Sequence, residues 1–188
     1  MYNKSFKGDV CSHSHSIFLD NFIRRIIQNP KRILGEYIHK GDTIVDIGCG
    51  PGYFTLDMAQ MAGPTGKTIA VDLQEEMLAT VESKAIKSGL MDRIRLHQCT
   101  QEKIGLEEKE VADFILTYYM VHETLNPRAF LSEILGLLKP GGKYLIVEPL
   151  FHVSAKQFNT IKRTALDLGF TLVDTPKKKG GRSVLLTV

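Results

Sequence analysis

From Thr43 onward, apolar runs of strand length alternate with segments whose apolar residues recur at helical spacing. The runs are TIVDI (43–47), KTIAVD (67–72), RIRLHQ (93–98), ADFILTYY (112–119) and KYLIVE (143–148), then TLVD (171–174) and SVLLTV (183–188). Between them lie FTLDMAQMA (54–62), EEMLATVESKAIKSG (75–89), NPRAFLSEILGLL (126–138) and SAKQFNTIKRTALDLG (154–169). A helix between two strands returns the chain to the starting edge, so the strands pair in parallel and the helices cover both faces. The fourth run is apolar throughout, as expected of a strand buried on both faces. Only a short polar turn joins the last two runs, which makes them antiparallel neighbours. The expected fold is therefore α/β: a doubly wound, mostly parallel seven-stranded sheet with an antiparallel last strand.

The punctuation agrees with this division. Asn29-Pro30, Asn126-Pro127 and Ser154 offer caps at helix starts, while Gly63-Pro64, Gly89 and Gly169 close helices, and KPGG (139–142) breaks one. Upstream, IFLDNFIRRIIQ (17–28) places Leu19, Phe22, Ile23, Ile26 and Ile27 on one helical stripe. The expected organisation is one domain over residues 1–188, with a helical N-terminal extension or lid at 1–40 and a cofactor-binding core at 41–188.

The 188 residues are 43% apolar and 24% charged, enough to fill one core and unlike a disordered chain. No run of 18 apolar residues predicts a membrane span, and the first residues lack the apolar stretch of a signal peptide, so a cytoplasmic protein is expected. The three cysteines, Cys11, Cys49 and Cys99, are odd in number and widely spaced, which argues against a disulfide framework. Net charge is +3, with Lys177, Lys178, Lys179 and Arg182 clustered near the end. Such a cluster can bind phosphate backbones but is more often a solvated loop.

Behind the first strand run comes VDIGCGPGYF (45–54), with Gly48, Gly50 and Gly52 in a G-x-G-x-G spacing. Glycines there admit close approach to the main chain and left-handed dihedrals, and main-chain N–H groups are expected to face a ligand. In open parallel sheets ligands sit beyond the carboxyl ends of the strands. Asp46, two residues before the first glycine, is poorly suited to a pyrophosphate and well suited to an ammonium group. Asp72, at the end of the second run, is placed to accept two ribose hydroxyls. Ribose at one end, positive charge at the other and no phosphate together describe S-adenosyl-L-methionine.

Four segments in combination, VDIGCGPGYF (45–54), VDLQEEML (71–78), ADFILTYYMVHE (112–123) and LLKPGGKYLIVEP (137–149), resemble class I S-adenosylmethionine-dependent methyltransferases of the small-molecule type, over roughly residues 30–188. The resemblance implies a Rossmann-like fold with a seven-stranded sheet. It implies that Asp46, Gly48, Gly50 and Gly52, with Cys49, hold the methionine end, that Asp72 binds the ribose, and that Leu73 and Met77 pack near the adenine. Thr117 would line the methionine side. Where the family often has an acid after the third strand, this chain has Cys99, Thr100 and Gln101. Thr100 or main-chain groups would then meet the adenine.

Acceptor-side candidates lie at the ends of the fourth and fifth runs: Tyr118, Tyr119, His122 and Glu123, then Glu148 and His152. His122 is the first choice as general base because imidazole titrates near neutral pH; its alternative is a capping or packing histidine. Tyr118 and Tyr119 are expected to face opposite sides of a continuing strand. Glu148 fits an internal hydrogen-bonding role better than chemistry. Cys11, His13 and His15, with His152, offer soft ligands, but Cys-x-His-x-His is not a zinc spacing, and no metal is expected. The expected partner is a small-molecule acceptor, not nucleic acid or membrane, and the protein a monomer or homodimer. The competing functions are an RNA or protein methyltransferase using the Lys177–Arg182 cluster, and a cofactor-binding protein without catalysis.

Overall fold

In a computed structural model that describes residues 29–188, seven strands form one sheet in the order β3-β2-β1-β4-β5-β7-β6. The strands are β1 (Thr43–Ile47), β2 (Lys67–Asp72), β3 (Ile94–Gln98), β4 (Ala112–Tyr118), β5 (Leu138–Pro149), β6 (Thr171–Asp174) and β7 (Gly181–Thr187). The helices are α1 (Pro30–Leu34), α2 (Thr55–Ala62), α3 (Glu75–Lys87), α4 (Pro127–Leu137) and α5 (Ala155–Leu168), with 3₁₀ turns at Met91–Arg93 and Val121–Glu123. All pairings from β3 to β5 are parallel, and β7 runs antiparallel to both β5 and β6. The expected mostly parallel sheet with an antiparallel last strand is present. The helical stripe at 17–28 lies outside the described residues.

Strand period two sorts the core. Val45, Ile47, Ile115, Tyr144 and Ile146 pack under Leu131, Ile134, Phe158 and Ile161 of α4 and α5. Ile44, Phe114, Leu116 and Leu145 face the other side, against Ile33 and Leu34 of α1 and Met58 of α2. Ala70 meets Leu78, Val81 and Ala85 of α3 on that same α2 side. Helix starts follow the sequence chemistry. Asn29 Oδ1 accepts from Arg32 N, Asn126 Oδ1 accepts from Ala129 N, and Ser154 with Gln157 completes a reciprocal capping box.

Three local expectations are corrected. β5 begins at Leu138, so KPGG belongs to the strand, where the chain bulges between the Ala112–Leu138 and Phe114–Lys143 pairs. β4 ends at Tyr118, because Tyr119 adopts φ 65° and leaves the pleat. In consequence Tyr118 and Tyr119 do not face opposite sides: their rings lie 4.4 Å apart, and the Tyr118 ring also packs on Phe54 at 4.5 Å. Among the described residues no helix is long and apolar enough to cross a membrane.

Thr117 and Tyr144 are both fully buried, and their hydroxyls are 2.9 Å apart on the α4–α5 side of the sheet. A Tyr144→Phe substitution leaves the Thr117 hydroxyl unpaired in the core and should cost about 1–3 kcal/mol in urea unfolding. Adding Thr117→Val removes the orphan and should recover most of that loss. Additive losses in the double variant would show that the two hydroxyls do not support one another.

Candidate active site at the carboxyl ends of the strands

β1 and β2 end side by side, and the glycine turn folds back over the end of β2. Gly48 N and Cys49 N both donate to Val71 O, at 2.9 and 3.0 Å. Gly50 N donates to Asp72 Oδ2 at 2.8 Å, and Gly52 N to Cys49 O at 3.1 Å. Pro51 has no N–H to offer. Every main-chain donor from Gly48 to Gly52 is thus satisfied inside the protein. The expectation that these groups face the ligand is corrected: the turn presents no nest of N–H groups to a phosphate.

The glycines serve a different purpose. Gly48, Gly50 and Gly52 have φ of 72°, 53° and 81°, a region that side chains disfavour. A Cβ on Gly48 would lie 2.8 Å from Met120 Cγ, so this glycine lets the loop after β4 close on the turn. A Cβ on Gly50 would meet no protein atom within 4 Å, so this one faces open space. Asp72 holds Gly50 itself, and Asp46 lies within electrostatic reach of Asp72. Asp46 is 3% exposed and Oδ2 accepts from Thr55 Oγ1 at 2.6 Å, from the first residue of α2. Burial pushes the Asp46 carboxyl up to about 7, with the nearby charge of Asp72 adding and the Thr55 hydrogen bond opposing. Asp72 is 7% exposed; Oδ1 accepts from Gln74 N at 3.0 Å while Oδ2 holds Gly50. Burial raises its pKa as well, against the pull of those main-chain donors. Each Asp72 oxygen retains a second lone pair for a ligand hydroxyl.

A second group of side chains stands beside this one, over β4 and β5. Glu148, fully buried at the end of β5, accepts from Val121 N at 2.8 Å through Oε1 and from His122 Nδ1 through Oε2. His122 is left with Nε2 directed toward Glu123, 4.0 Å from Oε1. Burial lowers the His122 pKa, but the hydrogen bond and charge of Glu148, with Glu123 adding, prevail and raise it above the ordinary imidazole value. Burial also raises the Glu123 carboxyl; His122 opposes, while Glu148 and Asp72 add to the rise. Asp46, Asp72, Glu123 and Glu148 therefore form an electrostatically connected row of acids along the carboxyl ends of β1, β2, β4 and β5.

Other sequence-singled residues fall elsewhere. Thr117 lies in the core with its hydroxyl on Tyr144, so its side chain lines no cleft. Tyr118 is 7% exposed within an aromatic cluster on the α1–α2 side. The Thr100 hydroxyl is exposed and accepts from Lys103 N at 3.1 Å and Glu102 N at 3.3 Å in its own turn. Met77 is buried and Leu73 half-buried behind Asp72. Burial raises the Cys49 thiol well above its ordinary value and the Cys99 thiol to about 11, so both are protonated at neutral pH. Cys11, His13 and His15 lie outside the described residues. Among the described residues no group of three or more His, Cys, Asp or Glu is arranged to hold a metal.

The basic cluster is divided. Lys178 Nζ donates to Ile33 O at 3.0 Å and sits 5.0 Å over the Tyr37 ring, stapling the β6–β7 turn to α1. Arg182 Nη1 donates to Val153 O at 2.8 Å and Leu150 O at 3.4 Å, pinning the loop after β5. Only Lys177 and Lys179 of the four are exposed. Sequence reasoning missed Thr55 as the partner of Asp46 and Glu148 as the partner of His122. The available signal for the latter was register. Tyr118 pairs with Val147, so Glu148 lies one step beyond, beside the turn that carries His122.

Comparison with known proteins gives a consistent picture. The sequence model of a methyltransferase domain family matches residues 38–177. The demethylmenaquinone methyltransferase of Lactococcus lactis is 32% identical over 108 residues, 57% of this chain and 42% of that protein. The ubiquinone/menaquinone biosynthesis C-methyltransferase UbiE of Francisella tularensis is 26% identical over 143 residues, 74% of this chain and 57% of that one. The chain spans about half the length of the curated relatives it matches. A crystal structure of a SAM-dependent methyltransferase from Aquifex aeolicus superposes with a TM-score of 0.84 at 25% identity, over 95% of this chain and 100% of that one. A TehB-like SAM-dependent methyltransferase from Corynebacterium glutamicum shares the fold at 16% identity, with a TM-score of 0.71 over 94% of this chain and 99% of that one. With a phosphate-averse glycine turn, two buried acids beside it and the sheet order described above, the chain belongs to the methyltransferase domain family.

Proposed function

We propose that this domain is an S-adenosyl-L-methionine-dependent methyltransferase that acts on a small-molecule acceptor bearing an ionisable hydroxyl. The observation that carries the cofactor assignment is the glycine turn. All its N–H groups are satisfied internally, it is open at Gly50, and the buried Asp72 that holds Gly50 is electrostatically coupled to the buried Asp46. A cationic, phosphate-free nucleoside fits such a site; a dinucleotide does not. Asp72 would hold the ribose hydroxyls and Asp46 the ammonium end, with Gly50 giving room, and Leu73 and Met77 lying behind Asp72. Bound there, the cofactor supplies a methyl group made electrophilic by its sulfonium.

The chain's own chemistry is proton handling and orientation. Glu148 fixes the imidazole through Nδ1, so that Nε2 of His122 is the atom free to take the acceptor's hydroxyl proton. The resulting imidazolium is stabilised by the Glu148 charge. Glu123, coupled electrostatically to both this base and Asp72, would touch the acceptor or the cofactor side. Closure of Met120 on Gly48 holds the two halves of the site against one another, and such positioning is where most of the rate must come from. The curated relatives are named as quinone methyltransferases, which supports a hydroxylated, quinone-related ring as the acceptor class. A nucleic-acid acceptor loses support because two of the four clustered cations, Lys178 and Arg182, are engaged within the fold.

Asp46 gives the cofactor site a pH dependence of definite sign. Below about 7 its carboxyl is neutral in the free protein and must release a proton to meet a cation. The ratio of wild-type to Asp46→Asn affinity for S-adenosylmethionine should therefore rise with pH, by up to about tenfold per unit, and level off above pH 7. Calorimetry between pH 5.5 and 8.5 measures it, and a flat ratio would mean that Asp46 meets no cation. Asp72→Ala should weaken the same binding by more than tenfold, since charge-assisted hydrogen bonds contribute about 1.5–3 kcal/mol each.

For the base, kcat/KM should rise with pH to a plateau, with an apparent pKa above that of free imidazole, because neutral His122 is the active form. Glu148→Gln should move that limb to lower pH and lower the plateau, with cofactor affinity intact. His122→Ala should reduce the plateau by about 10²–10⁴-fold. An unchanged pH profile in Glu148→Gln would remove the dyad from the reaction.

A further inference from the structure

The loops that frame the His122 end of the cleft carry apolar side chains into solvent. Phe151 is 96% exposed, Leu125 56% and Leu150 43%. They come from two loops, after β4 and after β5, which the stacked rings of His122 and His152 bring together at 6.5 Å. The position of this tip is fixed. Leu150 N donates to Gly180 O at 3.1 Å, and Arg182 Nη1 holds Leu150 O and Val153 O from below. Pro149 and Val153 on either side are buried, so the three-residue crest between them stands on a rigid base.

Cations surround the crest. Lys179 precedes the Gly180 carbonyl that Leu150 contacts, Lys177 lies two residues earlier on the same turn, and Lys156 opens α5; all three are exposed. The exposed acids at this edge are Asp174 and Glu36, and Glu36 is engaged by Lys178 at 3.7 Å, so the balance is positive. A fully exposed aromatic on a pinned loop, with lysines around it, is the pattern of a surface that inserts shallowly between lipid headgroups. The apolar tip enters the acyl boundary while the lysines remain with anionic phosphates.

We propose that this end of the domain, Phe151 with Leu150 and Leu125 ringed by Lys156, Lys177 and Lys179, docks on an anionic phospholipid bilayer. Docking there turns the mouth that holds His122 toward the membrane, so an acceptor dissolved in the lipid reaches the site without crossing water. A surface contact requires no membrane-spanning helix. It runs against the expectation from sequence that no membrane is involved; the docking itself is independent of the methyl-transfer assignment, while the route for the acceptor rests on the proposed function.

The sequence contains no tryptophan, so Phe151→Trp provides a single reporter in the full chain. On vesicles of equal phosphatidylglycerol and phosphatidylcholine its emission should shift to the blue and the protein should co-float. Vesicles of phosphatidylcholine alone, or 1 M salt, should suppress both. Lys177→Gln and Lys179→Gln should each weaken partitioning by about fivefold, and Phe151→Asp should abolish it with unchanged thermal melting. Absence of flotation of the wild-type chain overturns the proposal, as does flotation that survives Phe151→Asp. So does a reporter already blue-shifted before vesicles are added. Gel filtration then tells whether a second copy covers the crest.

Discussion

The bond from Gly50 N to Asp72 Oδ2 is the contact on which the site's form depends. It joins the turn after β1 to the last residue of β2, and with Val71 O receiving two further N–H groups it determines the shape of the turn. The same carboxylate that shapes the turn is the one proposed to meet a ribose, so structure and recognition would be carried by one residue. Burial of Asp72 beside Asp46 is unfavourable on its own, since two desolvated carboxylates repel and each is driven toward protonation. A bound cation relieves both effects, so the domain gains stability from its ligand by mass action.

The parallel sheet explains why the second half of the machinery lies within reach. β4 and β5 run in the same direction as β1 and β2, so all four release their chains at one edge. His122 follows β4 and Glu148 ends β5, adjacent strands whose pairing extends to Tyr118 and Val147. A buried glutamate with no partner would be costly at this position. Glu148 is instead matched by a main-chain N–H and an imidazole, which ties the 3₁₀ turn at Val121–Glu123 down onto the sheet.

Much of this was legible before any coordinates. The alternation of runs led to the sheet, Asn29, Asn126 and Ser154 to the helix starts, and the pairing of Asp46 with Asp72 to a cationic nucleoside. What escaped was direction. Thr117 reads as a strand-end polar residue suited to a ligand, yet the strand's period of two points it at Tyr144 in the core. Tyr118 and Tyr119 alternate only if the strand persists, and a left-handed Tyr119 ends it. Lys178 reads as one cation in a solvated run, but its neighbours Ile33 and Tyr37 are 145 and 141 residues away, beyond any local pattern. The N–H groups of the glycine turn escaped for the same reason: their acceptors belong to another strand.

Glu123 links the two halves of the site electrostatically. It responds to Asp72 on one side and to His122 and Glu148 on the other. Asp72 in turn raises Asp46. Protons along this row are therefore not independent, and the apparent pKa values read from kinetics belong to the row rather than to any one carboxyl. A cation at the Asp46–Asp72 end would offset only the small part of the rise in the Glu123 carboxyl that comes from Asp72, the main cause being burial. The charge of Glu123, with Oε1 4.0 Å from Nε2, is one of the contributions that raise the His122 pKa. The two ends of the site are thereby coupled electrostatically through Glu123, which responds to Asp72 as well as to His122 and Glu148.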